Sequence, residues 1–116
     1  MITVYGIKNC DTVKKAIVWL NAHQIGFEFH DYKQRGIDEQ VLQRWSKQVG
    51  WEPLLNKRGT TWKKLSAYEQ QVIDNAAEAL RFMQSKPSAI RRPLIEREGR
   101  VIALGFSEQE YEAVFA

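Results

Sequence analysis

The sequence predicts an α/β domain, and three observations carry that prediction. A short β-prone run, Ile2 to Tyr5, closes at Gly6 and is followed by a helical period from Asp11 to Gln24. Well-marked helix starts occupy the middle of the chain. A strand pair and a final capped helix follow, so the order reads βαβ, a helical block, then ββα.

In the opening unit, Val13, Ala16, Ile17 and Leu20 recur at helical spacing. After Gly26, the alternating Phe27 and Phe29 with the β-prone Tyr32 predict a second strand. A strand, helix and strand in so short a span imply parallel pairing with a right-handed crossover. The loop around Cys10 then falls at the C-terminal end of the first strand, where open α/β sheets place their ligands.

In the helical block, Asp38 is a candidate N-cap, flanked by Ile37 and Leu42 as a hydrophobic staple, and Val41, Leu42, Trp45 and Val49 form one apolar stripe. Ser66 and Glu69 make a capping box. The spacing predicts one helix after it, with Val72, Ile73, Ala76, Ala77, Leu80 and Met83 on one face and Pro87 beyond its end. The intervening "LLNKRGTTWKKL", with Lys57 and Arg58, reads as an exposed loop. Pro93 to Glu96 and Arg100 to Leu104 predict a hairpin closed near Glu98 and Gly99. Ser107 starts the last helix, with Glu110 as box partner and Phe106 stapled to Tyr111.

At 116 residues the expectation is a single domain over 1–116, with the helical block at about 38–85. The apolar and charged fractions, 44% and 27%, are those of an ordinary soluble protein. No apolar segment is long enough to span a bilayer, and no signal-peptide pattern is read in Met1 to Asn9, so a cytoplasmic location is expected. A net charge of +3 and a pI near 9.1 suit an anionic small ligand and fall short of a nucleic-acid footprint. The expected protein is a monomer that binds neither nucleic acid nor membrane.

Chemistry centres on Cys10, the only cysteine, which excludes an internal disulfide and leaves any redox step dependent on an outside thiol. It stands just before the apolar period begins, where unpaired N–H groups and the helix dipole favour a thiolate. Lys8, Lys14 and Lys15 add positive charge nearby in sequence, and Asp11 opposes it. Inert filling is the competing reading of a lone cysteine. Pro93 belongs at a strand start because it cannot donate to a ladder, and its bond to Arg92 is a candidate for the cis form, against the commoner trans alternative. His23 and His30 lack a cysteine or acidic cluster at metal spacing, so no metal site is expected. The four tryptophans read as helix-packing residues.

The combination of "YGIKNCDTVKKA", "KRG" and "IRRPLIE" followed by "GFSEQEY" resembles the arsenate reductase (ArsC-like) family of the thioredoxin-like superfamily, and within it the YffB branch of small proteins. The resemblance covers nearly the whole chain. It implies a thioredoxin-like fold with a helical insertion and a glutathione-dependent thiol reductase. Cys10 is then the catalytic cysteine, Arg58 and Arg92 are anion-binding arginines, and Pro93 is the cis-proline beside the sulfur. Lys8 adds charge at the anion site, and Thr12 either donates to the sulfur or simply starts the helix. Glutathione is the implied co-substrate, with a small oxidised or disulfide substrate and glutaredoxin as further partners.

Two departures from the family pattern matter. The third arginine of arsenate reductases is absent from "ALGFSE", which leaves arsenate reduction as an alternative. The Spx-type regulators of the family, which bind RNA polymerase, carry a C-x-x-C switch, whereas here the fourth position is Val13. Regulation through polymerase binding is the second alternative.

Overall fold

The structure, a computed structural model, describes Met1–Ala116. In chain order it contains β1 (Ile2–Gly6), α1 (Asp11–Ala22), β2 (Phe27–Asp31), α2 (Tyr32–Arg35), α3 (Glu39–Val49), α4 (Trp51–Leu54), α5 (Thr60–Lys63), α6 (Ala67–Val72) and α7 (Ala76–Ser85). A 3₁₀ turn (Pro87–Ala89), β3 (Leu94–Arg97), β4 (Arg100–Leu104) and α8 (Glu108–Val114) complete it. These elements divide into two compact units, Met1–Arg35 with Arg92–Ala116, and Gly36–Arg91.

The first unit is built on a four-stranded mixed sheet in the order β2-β1-β3-β4. β1 and β2 are parallel, with Gly6 opposite Asp31, while β3 lies antiparallel to β1, with Tyr5 opposite Leu94. The β3–β4 hairpin turns through Glu98 and Gly99, both at positive φ, the backbone that a two-residue hairpin turn requires. The core takes Ile2, Val4, Ile95 and Ala103 from the sheet, Ala16, Trp19 and Leu20 from α1, and Tyr111 from α8. Successive strand side chains alternate between faces, so Tyr5 belongs to the face opposite Val4. Its hydroxyl donates to the buried carboxylate of Glu96 at 3.0 Å.

α8 begins as expected at Ser107, whose hydroxyl accepts from the Glu110 N–H at 3.3 Å, and the Phe106 and Tyr111 rings meet edge to face at 4.9 Å. Tyr32 departs from the expectation. It opens α2 and does not extend β2, because the Asp31 carboxylate accepts from the Lys33 N–H and turns the chain into a helical start.

The second unit is helical and buries Leu42 and Trp45 of α3, Leu54, Trp62 of α5, and Ala79 and Met83 of α7. Ile37 and Leu42 are both buried, in keeping with a staple, but the Asp38 side chain makes no cap bond; its backbone carbonyl carries the first helical bonds instead. Two further expectations are corrected. The single helix after the Ser66–Glu69 box is two helices: Asn75 accepts from the Glu78 N–H and starts α7 afresh. That break rotates the stripe, exposing Val72 and burying Ala79. "LLNKRGTTWKKL" is likewise more than a loop, since α5 forms within it and buries Trp62.

Candidate active site

Cys10 is the N-cap of α1, in extended backbone, half-buried and free of any disulfide. Its carbonyl accepts the first helical bond, from the Lys14 N–H at 2.9 Å, while its side chain makes no cap hydrogen bond. Serine, threonine, asparagine or aspartate is the usual N-cap because its oxygen satisfies an N–H of the first turn. With a thiol in that place, the first-turn N–H groups receive no cap from the residue that precedes them. They remain donors at the helix start that Cys10 precedes, a place suited to an anionic ligand.

The loop that carries Cys10 is held from both ends. Gly6 closes β1 against Val13 of α1, and Ile7 is buried, whereas Lys8 and Asn9 face solvent. Thr12 is exposed at the second position of the helix.

The strand registers bring a second segment to this end of the sheet. β1 ends at Gly6 with Tyr5 opposite Leu94, so the residues just before β3, Arg92 and Pro93, step off at the same edge as the Ile7–Cys10 loop. Arg92 is half-buried, Pro93 is buried, and the Arg92–Pro93 peptide bond is cis. The Pro93 carbonyl accepts from the Gly105 N–H at 2.7 Å, and the Gly105 carbonyl accepts from the Tyr111 hydroxyl at 2.7 Å. Gly105, the residue in the stretch where the third arginine was missed, has φ +84°, a backbone in which any side chain is strained.

Arg58 belongs to the helical unit. It is exposed on the loop before α5, and its N–H donates to Asn56 Oδ1 at 3.1 Å. That loop is anchored within its own unit by the Leu55–Ile90 bridge, the Asn56 N–H donating to Ala89 O and the Arg91 N–H donating to Leu54 O. Neighbouring Lys57 places its ammonium 5.3 Å from the centre of the Trp62 ring.

His23 stacks on Trp19 and His30 lies against Tyr5, both as parts of aromatic clusters. Sequence reasoning missed the buried polar cluster on the Tyr5 face of the sheet, made of Tyr5, Glu96 and Tyr32. The available signal was Glu96, a charged residue inside the apolar run "PLIE".

The family model for ArsC matches residues 5–114. The chain belongs to the ArsC family. A solved structure of a YffB protein superposes with a TM-score of 0.93 at 42% identity, covering all of both chains. An arsenate reductase (ArsC) related protein from Brucella melitensis gives a TM-score of 0.78 at 48% identity over 98% of this chain and 93% of that one. Among sequence relatives, an uncharacterized protein of Haemophilus influenzae is 47% identical over the full length of both. The global transcriptional regulator Spx of Streptococcus agalactiae is 29% identical over 97% of this chain and 82% of its own. The mixed sheet with its helices is the thioredoxin-like fold of the family. No helix is long and apolar enough to cross a membrane.

Proposed function

We propose that this ArsC-family protein is a glutathione-dependent thiol reductase that works through the single cysteine Cys10. The observation that carries the reading is the place of Cys10: a thiol at the N-cap of α1, without a cap bond, on the sheet edge from which Arg92 and Pro93 also depart. In the reaction, the Cys10 thiolate attacks one sulfur of a disulfide R–S–S–R′. A Cys10–S–S–R bond forms, and R′–S⁻ leaves and takes a proton from solvent. A glutathione thiolate then attacks the R sulfur, releasing R–S–S–glutathione and restoring the Cys10 thiolate. An outside thiol must supply this second step, because the chain has no other cysteine; glutathione is the one that the family resemblance implies.

Arg92 holds the anionic end of the substrate or of glutathione, a task for which the guanidinium fork is suited. Arg58, Lys8 and Thr12 are assigned anion-binding or sulfur-contacting roles on the family motif. Glutaredoxin serves as an auxiliary reductant where the mixed disulfide escapes glutathione, and a cytoplasmic setting would keep the thiol pool reduced. The test is reduction of a small disulfide by glutathione with native protein and with Cys10→Ser. Full activity in the variant would sink the mechanism.

Arsenate reduction is the second reading, supported by Arg92 and by the relative described as arsenate reductase related. It requires arsenate turnover that disappears in Arg92→Ala. The likeness to Spx raises a third, polymerase binding, and stoichiometric retention of RNA polymerase from cell extract would favour it. A redox switch of the C-x-x-C type has no place here, since Val13 is a fully buried core residue.

A further inference from the structure

Tyr32 follows β2 directly, and β2 is parallel to β1, so Tyr32 leaves the sheet at the same edge as the Cys10 loop. Arg92 leaves that edge on the far side of β1, before β3. With neighbouring strands about 4.8 Å apart, the two backbones flank the loop at a separation of about 10 Å, within reach of a long side chain on each side.

The Tyr32 side chain is 3% exposed. Its ring is well packed, with its centre 6.2 Å from that of Tyr5 in a stacked arrangement and 5.9 Å from that of His30 edge to face. Its hydroxyl oxygen is buried and makes no hydrogen bond. Tyr5, on the same cluster, spends its own hydroxyl proton on Glu96. A phenylalanine at position 32 would fill the same space without burying an unmade hydrogen bond, so packing alone does not account for a tyrosine. Burial first, then Tyr5 and Glu96, push the Tyr32 hydroxyl well above the usual phenol range, against the opposing charge of Arg92; the group is therefore a proton donor at neutral pH.

We propose that Tyr32 is a further ligand-binding residue of the Arg92 site, its hydroxyl donating to an oxygen of the anion that the Arg92 guanidinium takes. The inference rests on the reading of Arg92 as an anion-binding residue. The ligand it requires is an oxygen anion with at least two acceptor atoms: one for the arginine fork, approached through the half-buried side of Arg92, and one for the buried phenol. A carboxylate of glutathione and an inorganic oxyanion share this chemistry.

The experiment titrates sulfate and S-methylglutathione, as two separate probes, into the native protein, Tyr32→Phe and Arg92→Ala by calorimetry, with the melting temperature of each ligand-free protein recorded. The expected result is that Tyr32→Phe melts no lower than the native protein, because it loses only an unmade bond, yet binds at least one probe about tenfold or more weakly. The probe affected identifies the source of the anion. Native affinity in Tyr32→Phe, with binding lost in Arg92→Ala, overturns the role of Tyr32 and leaves the reading of Arg92 standing. Native affinity in Arg92→Ala, or no binding of either probe by the native protein, overturns both. A Tyr32→Phe protein that melts lower or fails to fold shows that the hydroxyl has a structural partner, which also overturns the proposal.

Discussion

A methyl group placed on Gly6 stands 2.9 Å from Cγ2 of Val13 and 3.4 Å from its Cγ1. Gly6 is the last residue of β1 and Val13 lies in the first turn of α1, so this contact sets how closely the helix start approaches the strand end. Cys10 lies between them. Val13 is fully buried and cannot move aside without disturbing the core.

Gly6→Ala is therefore expected to destabilise the protein by about 1–3 kcal/mol, the usual cost of overpacking. Urea unfolding measures it. Restoration by the second change Val13→Ala, which removes the two clashing methyls, would attribute the loss to this contact and not to the backbone of residue 6.

Cys10→Ser is expected to separate stability from activity. Serine caps a helix where this cysteine does not, so the variant should be as stable as the native protein or more stable, by up to about 1 kcal/mol. Its disulfide reduction should fall to the rate without protein. Thermal unfolding and a glutathione-coupled assay on the same preparation check both halves.

The capping box at the start of α6 gives a pH-dependent prediction. Ser66 Oγ accepts from the Glu69 N–H, and Glu69 Oε1 accepts from the Ser66 N–H. Ser66→Ala should cost about 0.5–2 kcal/mol in chemical unfolding. The bonds from the Ser66 backbone and then its side chain hold the Glu69 carboxyl below its ordinary value. A folded value lower than the unfolded one means that the stabilisation is present above the unfolded value and lost as pH falls through the folded one. The stability gap between the native protein and Glu69→Gln should accordingly be open at neutral pH and close on acidification below the ordinary glutamate range. A gap that stays constant with pH would contradict this.

Tyr111→Phe should destabilise α8 by about 1 kcal/mol, since the fully buried Tyr111 donates to the Gly105 carbonyl at 2.7 Å. Amide exchange would locate the effect at Gly105 and the last helix if this bond is what ties them.

The elements legible in the sequence were those defined by neighbours along the chain. The 3.6-residue period of α1, the Ser66 and Ser107 starts, the Glu98–Gly99 turn and the alternation in β2 each depend on contacts a few residues apart, so their signals survive without the fold. The placement of Cys10 at a helix start belongs to this class. Where the reading failed, a short local signal competed with the period: Asn75 restarted a helix inside an unbroken apolar pattern, and Asp31 turned Tyr32 out of its strand. The short helix α5 was missed because its single turn is too brief for a period to show, and it is Trp62, buried by tertiary packing, that it serves.

By itself, the sequence determined the α/β order, the helix caps, the single thiol and the arginines near the proline. Only the tertiary structure decided that Arg92 and Tyr32 leave the same sheet edge as the Cys10 loop, and that the Tyr32 hydroxyl is buried without a partner. The physical reason is that strand order and register bring together residues 22 to 82 positions away from Cys10, and no pattern among adjacent residues encodes which strands will be neighbours.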